Sequence, residues 1–100
     1  MKEEIITKMF KALGHPLRYK IVKLLSEEPK CVCEIEPELD FSKPNLSQHL
    51  KILKEAGIII GKKRGLNIYY RIKNSEMKRI IKLGENFYAE YIKDLKGEEE

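Results

Sequence analysis

The sequence predicts a mainly α-helical domain that carries one small β-hairpin. Apolar residues recur with a helical period through most of the 100 residues. Between residues 58 and 72 the period shortens to about two, which is typical of strands. The composition is 42% apolar and 36% charged, as expected for a chain with a single modest core. We therefore expect residues 1–100 to form one domain.

The first two helices are delimited by glycine and proline residues. Residues 3–13 carry an apolar pattern typical of a helix, and Gly14 ends it. His15 is a candidate N-cap for the second helix, with Pro16 at the first helical position, where a missing N–H is harmless. Pro29 marks the end of this second helix. The two helices should therefore be separated by a very short junction.

A third helix is predicted to be short. Val32 and Ile35 are spaced to point inward, and Leu39 extends the same pattern. Pro37 limits the helix, because a proline beyond the first turn removes a backbone hydrogen bond. The two cysteines of the chain are expected in the first turn of this helix.

The fourth helix has clear start and end signals. Ser42 is its predicted N-cap, Pro44 lies in its first turn and Gly57 is its C′ residue. Its apolar stripe consists of Leu46, Leu50 and Leu53. Its opposite face carries Asn45, Gln48 and Lys51, flanked by Lys43 and Lys54.

After Gly57 the sequence predicts a β-hairpin followed by one long helix. Two β-rich runs, residues 58–63 and 66–72, flank a turn at Arg64 and Gly65 that tolerates a positive φ. In the second run Ile68, Tyr70 and Ile72 alternate with Asn67, Tyr69 and Arg71. The helical period returns over residues 74–95, with more apolar surface than so small a core covers.

This element order, α-α-α-α-β-β-α, is that of a winged helix-turn-helix. The third and fourth helices form the turn-linked pair, and the hairpin of residues 58–72 is the wing. The first helix (residues 1–13) and the last (residues 74–95) together form a candidate self-association face. The alternative is that the last helix packs only on its own domain.

The positive charge of the chain is concentrated in one block. The net charge is +4, but residues 43–71 alone carry seven basic and one acidic side chain, a net charge of +6. Such a concentration is typical of a surface that binds DNA by displacing phosphate counterions. Amides set among lysines on the fourth helix also suit a helix in the major groove, because amides pair with base edges. For this helix taken alone, the alternative is an ordinary solvated amphipathic face.

Several function classes are disfavoured by what the sequence lacks. There is no signal-peptide pattern, and the longest apolar run, residues 58–60, is too short to span a bilayer. We therefore expect a cytoplasmic chain with no membrane partner. A thiol oxidoreductase, the alternative from another class, would need a Cys-x-x-Cys motif on a βαβ scaffold, and no Gly-rich phosphate loop occurs either. We expect no enzymatic activity and no required cofactor.

Three stretches resemble the ArsR/SmtB family of winged-helix metalloregulators, of the arsenical-resistance type. Residues 12–18, Ala-Leu-Gly-His-Pro-Leu-Arg, are similar to the junction between the first two helices of the family. Residues 46–58, from Leu-Ser-Gln-His-Leu to Glu-Ala-Gly-Ile, closely match its recognition helix and the exit from it. Residues 31–35, Cys-Val-Cys-Glu-Ile, resemble the cysteine signature of its third helix.

The resemblance implies a homodimeric repressor that binds a pseudo-palindromic operator in double-stranded DNA. It implies a dimer formed through the first and last helices, and release from DNA when a thiophilic ion binds. It also implies that Ser47, Gln48 and His49 face the DNA, although a histidine at position 49 fits a half-buried role in a helix interface as well. The predicted DNA contacts are Ser42, Lys43, Asn45, Ser47, Gln48, His49, Lys51, Lys62, Lys63 and Arg64.

Cys31 and Cys33 are the predicted ligands of the ion. Thiolates bind soft ions, and we expect As(III) or Sb(III) ahead of Cd(II), Zn(II) or Cu(I). Because residues i and i+2 do not share a helix face, chelation by both would distort the third helix. That helix supports the recognition helix, so the DNA-competent geometry would lose population.

The donor set departs from the arsenic-sensing pattern of the family. A third cysteine is often found where this chain has Glu36, so Glu36 or an outside thiol would complete the shell. The other family site, on the last helix, is missing, because residues 74–95 contain no histidine. Two alternatives stay open. In one, the pair responds to oxidation as a dithiol and disulfide; in the other, the cysteines are inert apolar residues of an ungated DNA-binding protein.

Overall fold

The computed structural model describes residues 1–39 and 43–97 of the chain. In chain order its elements are α1 (Lys2–Leu13), α2 (Pro16–Leu25), β1 (Lys30–Cys31), α3 (Val32–Ile35), a 3-10 turn (Glu36–Glu38), α4 (Lys43–Glu55), β2 (Ile59–Arg64), β3 (Asn67–Ile72) and α5 (Glu76–Leu95). The predicted class, mainly α with a small β-hairpin, is confirmed. The helices and the hairpin follow one another in the winged helix-turn-helix order.

The start of α2 follows from its capping residue. The backbone N–H of Leu17 donates to Nδ1 of His15 at 3.1 Å, so the histidine ring satisfies one of the first amides of the helix. Pro16 occupies the first helical position, as the sequence predicts. The junction between α1 and α2 is therefore only two residues long, Gly14 and His15.

Helix α4 ends in a Schellman motif at the predicted glycine. The N–H of Gly57 donates to Lys54 O at 3.0 Å, and the N–H of Ile58 donates to Leu53 O at 3.1 Å. Gly57 has a φ of 78°, a backbone conformation that favours glycine. The predicted N-cap, Ser42, lies outside the described residues. The motif leads the chain from α4 directly into the wing.

Helix α3 is as short as the proline predicts, but its cysteines are placed differently. The helix ends at Ile35, two residues before Pro37. The expectation that both cysteines lie in its first turn is wrong. Cys31 has extended backbone angles (φ −86°, ψ 169°) and is the last residue of β1, whereas Cys33 lies in the helix. A two-residue strand has too little periodicity to be predicted, and here it changes the geometry of the cysteine pair.

One hydrophobic core connects the helices to the sheet. The apolar stripe of α4 is buried in it, together with the inward side chains of α2, of α3 and of the start of α5. These residues include Ile21, Val22, Leu25, Ile35, Leu46, Leu50, Leu53, Met77 and Ile81. Because the stripe of α4 lies in this core, its polar side faces outward.

The sheet has three antiparallel strands in the order β1-β3-β2. Arg64 pairs with Asn67, so the turn consists of Gly65 and Leu66, one residue later than predicted. Gly65 has a φ of 61°, which suits the first central position of a two-residue hairpin turn. Tyr70 and Ile72 are buried as their alternation indicates, but Ile68 is exposed because it lies near the tip.

Helix α5 leaves most of its apolar surface outside the core. Only Met77 and Ile81 are buried among its 20 residues. The exposed apolar side chains of α5 are Leu83, Phe87, Tyr88, Tyr91 and Leu95, and those of α1 are Ile5, Ile6 and Phe10. We call this set the α1/α5 apolar surface. Among the described residues, no helix is both long and apolar enough to cross a bilayer.

Candidate nucleic-acid interface and cysteine pair

The outward side of α4 carries most of the predicted base-reading residues. Asn45, Ser47, Gln48 and Lys51 are exposed, while the leucine stripe beneath them is buried. Lys43 is the first residue of α4. The helix is therefore fixed on one side and open on the other, which is the arrangement that groove reading requires.

The wing carries the remaining predicted cations. Lys62, Lys63 and Arg64 are exposed and lie in the second half of β2, immediately before the turn. They pair across the ladder with Tyr69, Ile68 and Asn67 respectively. Because side chains alternate along a strand, Lys62 and Arg64 share one face of the hairpin and Lys63 lies on the other. The tip can therefore present positive charge on both faces.

Tyr69 connects the wing to the cysteine strand. The Arg64 guanidinium carbon lies 4.8 Å from the centre of the Tyr69 ring, within the range of a cation–π contact. Tyr69 also pairs with Cys31 in the β1–β3 ladder. One residue of β3 thus lies between a predicted DNA contact and a predicted metal ligand.

His49 lies half-buried against the junction between α1 and α2. Its ring centre is 4.6 Å from that of His15, and its Nδ1 lies 3.3 Å from a terminal nitrogen of Arg18. A guanidinium can only donate, so Nδ1 of His49 is the acceptor of this bond. The structure thus connects His49 to two side chains that lie far from it in the sequence.

These surroundings favour the neutral form of His49. Burial lowers the pKa of His49 below its ordinary value of 6.5, and the neighbouring His15 and Arg18 lower it further. In the neutral ring the proton lies on Nε2, because Nδ1 accepts from Arg18. His49 is therefore harder to protonate than an ordinary histidine.

Cys31 and Cys33 lie side by side although they occupy different elements. Their Cα atoms are 5.2 Å apart and their sulfur atoms form a disulfide. The N–H of Cys31 donates to Oε1 of Glu34 at 3.0 Å, which fixes the start of α3. Cys31 is 1% exposed, whereas Cys33 is on the surface. After reduction, the pair offers one buried and one accessible thiol.

The described residues supply only part of a metal site around this pair. Within them, no group of three or more histidine, cysteine, aspartate or glutamate side chains is placed to hold an ion. Glu36, the predicted additional ligand, is half-buried in the 3-10 turn. Two soft sulfur atoms fit a thiophilic ion, and the remaining ligands would come from outside.

Sequence reasoning missed Arg18 and His15 as partners of His49. Position 49 follows position 18 by 31 residues, and no periodicity or spacing signal relates two residues so far apart. The only available signal was that His15 and Arg18 lie in residues 12–18, one of the stretches that resemble a known family.

Comparisons with known proteins agree with this fold. Residues 15–60 match the family described as "Bacterial regulatory protein, arsR family". The chain is 46% identical over 83 residues to an uncharacterized HTH-type transcriptional regulator, MJ1325 of Methanocaldococcus jannaschii, covering 82% of this chain and 93% of that protein. It is 38% identical over 88 residues to the cadmium resistance transcriptional regulatory protein CadC of Listeria innocua, covering 87% and 74%.

A shorter match involves the arsenical resistance operon repressor of Escherichia coli. The two are 42% identical over 65 residues, which cover 64% of this chain but only 56% of that repressor. Among solved structures, Rv0081 of M. tuberculosis superposes with a TM-score of 0.84 and 27% identity, over 92% of this chain and 93% of that one. The homodimeric winged helix-turn-helix DNA-binding domain of Mb0332 from Mycobacterium bovis has a TM-score of 0.83 and 24% identity, over 91% and 84%, and supports the fold alone.

Proposed function

Because the chain belongs to the ArsR/SmtB family of DNA-binding transcriptional regulators, we propose that it is a homodimeric repressor released from its operator at the Cys31–Cys33 pair. The observation that carries the DNA-binding part is the two-sidedness of α4. Its leucine stripe is buried, and Asn45, Gln48 and Lys51 are exposed together. A helix supported in this way can enter a major groove without exposing the core.

The two DNA-facing parts have different roles in the proposal. Amides on α4 pair with base edges and so supply sequence preference, with Gln48 the residue best placed by both face and resemblance. The cations of the wing contact phosphates and supply affinity that does not depend on sequence. The net charge of +6 in residues 43–71, which include both α4 and the wing, supports binding to phosphates.

The α1/α5 apolar surface supports the dimer. The exposed apolar side chains include three aromatic residues on α5 and one on α1, and monomers rarely expose so much apolar surface. A two-fold dimer through these helices would present two copies of α4 to one pseudo-palindromic site. Half-sites about one turn of DNA apart, roughly 34–36 Å, are expected for such a pair.

The reduced cysteine pair would bind the inducing ion as a dithiol. With arsenous acid, each thiol forms one As–S bond and gives its proton to a departing hydroxide, so two water molecules leave. The remaining position on arsenic would be taken by hydroxide or an outside thiol, because no third donor is placed beside the pair among the described residues. Cys33 is exposed and would react first, and the buried thiol of Cys31 would close the chelate.

Two routes connect the cysteine pair to the DNA-binding parts. Cys31 pairs with Tyr69 in β3, and the ring of Tyr69 makes a cation–π contact with Arg64 of the wing. Cys33 lies in α3, whose Ile35 is packed in the same core as Leu46 of α4. A ligand that changes the separation of the two sulfurs therefore acts on both the wing and the recognition helix.

Oxidation is a second candidate signal, and the disulfide between Cys31 and Cys33 favours it. Two thiols would become one disulfide, with two electrons and two protons passing to an oxidant such as hydrogen peroxide, which becomes two water molecules. This signal would use the same two routes. Oxidation differs from ion binding because it leaves no bound ligand and because a thiol reductant reverses it.

One titration tests both signals. The duplex would be selected by the wild-type protein from a randomised library, and its binding to the dimer followed by fluorescence anisotropy. We expect arsenite, under reducing conditions, to weaken binding by roughly 5–150-fold, the usual range for coupled sites. Release by peroxide that a reductant reverses would assign the signal to oxidation instead.

The matched variant for this titration is Cys33→Ser, which removes the exposed thiol and leaves the buried Cys31 in the core. We expect this variant to bind the duplex like wild type, and we expect neither arsenite nor peroxide to change its affinity. If neither arsenite nor peroxide changes wild-type binding, gating at the cysteines is wrong, while the proposal of DNA binding stands.

The wing is tested by Lys63→Ala. Because Lys63 is an exposed cation near the hairpin tip, we expect weaker binding to every duplex and a salt slope lower by about 1. Lys96→Ala, at the far end of the chain beyond α5, removes the same charge and should leave the slope unchanged. An unchanged slope for the Lys63 variant would remove this side chain from the contact surface.

A further inference from the structure

Arg18 connects three elements of the molecule through one side chain. It belongs to α2, and its Nε donates to Ala12 O at 2.6 Å while one terminal nitrogen lies 3.4 Å from Lys11 O. Its other terminal nitrogen donates to Nδ1 of His49 at 3.3 Å. The guanidinium thus joins the end of α1 to the recognition helix.

The α1 end of this link follows from helix geometry. The last carbonyls of a helix have no intrahelical donor, and a cation placed there also interacts favourably with the helix dipole. Ala12 and Lys11 belong to the last turn of α1. Arg18 donates to the carbonyl of Ala12 and adds a second donor to that of Lys11, which also accepts the N–H of Gly14. One edge of the guanidinium is fixed by these bonds.

The α4 end of the link depends on the histidine. His15 contacts the ring of His49, and His15 is itself held by the amide of Leu17. His49 is therefore placed by His15 of the α1–α2 junction through a ring contact and by Arg18 of α2 through a hydrogen bond. It lies on α4 next to Gln48, so its position constrains the rotation of the base-reading face.

We propose that Arg18 is a positioning residue for DNA recognition, which holds α4 to the end of α1 through His49. This inference rests on the proposed function, in which α4 reads the operator and α1 belongs to the dimer interface. It adds a direct connection between the two, because a dimer has to fix both the spacing and the rotation of its reading helices. A lysine cannot replace Arg18, since a single ammonium lacks the planar fork that reaches two elements at once.

A double-mutant cycle separates this role from a simple helix cap. Arg18→Ala, His49→Leu and the double variant would be compared on the selected duplex and on a scrambled duplex. We expect Arg18→Ala to reduce the preference for the selected duplex by about tenfold, and to have little further effect once His49 is leucine. An arginine that only caps α1 would give the same loss in both backgrounds and overturn the proposal.

Arg79→Ala is the matched control for loss of charge. Arg79 is exposed on α5, where it pairs with Glu76 at 2.8 Å. We expect Arg79→Ala to preserve the preference for the selected duplex. An equal loss of preference in the two arginine variants would contradict the proposal that Arg18 positions α4. Thermal unfolding would be measured for each variant, and Arg18→Lys, which keeps the charge, takes the place of Arg18→Ala in the cycle if the alanine variant is unfolded.

A measurement without DNA keeps this inference separate from the proposed function. In an NMR titration of the wild-type protein, we expect the pKa of His49 below its ordinary value, with burial, His15 and Arg18 as the causes. Arg18→Ala should raise that pKa and Arg79→Ala should not. If wild type shows no preference for any duplex, the proposed function fails. An unchanged His49 pKa in Arg18→Ala overturns the link itself.

Discussion

Replacing Leu53 with alanine is expected to lower the free energy of unfolding by about 2–5 kcal/mol. Leu53 is 0% exposed and lies in the core near the end of α4, where its carbonyl also accepts the Schellman bond from Ile58. The truncation removes apolar contacts and leaves a cavity beneath the recognition helix. Chemical denaturation at a fixed protein concentration measures the change, since a dimer's stability depends on concentration.

Leu66 provides the matched control for this prediction. It is 99% exposed at the turn of the wing, so the same leucine-to-alanine change removes almost no buried surface. We expect Leu66→Ala to change the stability by less than about 0.5 kcal/mol, as surface substitutions usually do. Equal losses for the two variants would mean that the stripe of α4 is not part of the core.

Replacing Phe87 with glutamate is expected to dissociate the proposed dimer. Phe87 is 73% exposed and central in the apolar part of α5, so the proposed interface would have to bury a charge at this point. Truncation of an interface hot spot typically costs about 2–4 kcal/mol, and a two-fold interface carries each change twice. We expect the dimer dissociation constant to rise by at least about a hundredfold.

Analytical ultracentrifugation checks this result, with Asn86→Glu as the control. Asn86 is exposed and directly precedes Phe87 in α5. Its replacement by glutamate introduces the same charge outside the apolar set. This variant should remain a dimer. A Phe87→Glu protein that sediments like wild type would show that the α1/α5 apolar surface is not the subunit interface.

Most of the fold could be predicted because its signals are local. Gly14 and Gly57 mark the ends of α1 and α4, whereas α2 ends at Leu25, before the predicted Pro29. The leucine stripe of α4 and the alternation in β3 indicate which sides are buried. Gly57 and Gly65 both adopt the positive φ that their predicted turns require. These features depend on a few neighbouring residues, and the chain itself contains them.

The parts that were missed depend on contacts between distant residues. Strand β1 has two residues and exists because it pairs with Tyr69 and Tyr70 in β3. Its formation draws Cys31 out of α3, which allows the two sulfurs to approach without unwinding the helix. The exposure of Ile68 has a similar cause, since alternation predicts a face but not how far along the hairpin the core extends.

The candidate site also has parts that could be predicted from local sequence and parts that depend on contacts between distant residues. Composition and helix periodicity located the exposed residues of α4 and the cations of the wing, because charge and face are properties of the sequence. The link from Arg18 to His49 could not be found, since it joins residues 31 positions apart. Specific contacts of this kind need the packed structure.

Binding of Gln48→Ala to the selected and scrambled duplexes tests the central claim, that the exposed face of α4 reads base sequence. Asn86→Ala on α5, which also loses an exposed amide, is the control. We predict a loss of about 1–3 kcal/mol on the selected duplex, a relaxed preference at one base pair and unchanged scrambled binding. An equal loss on both duplexes, or an unaltered base preference, would contradict the account.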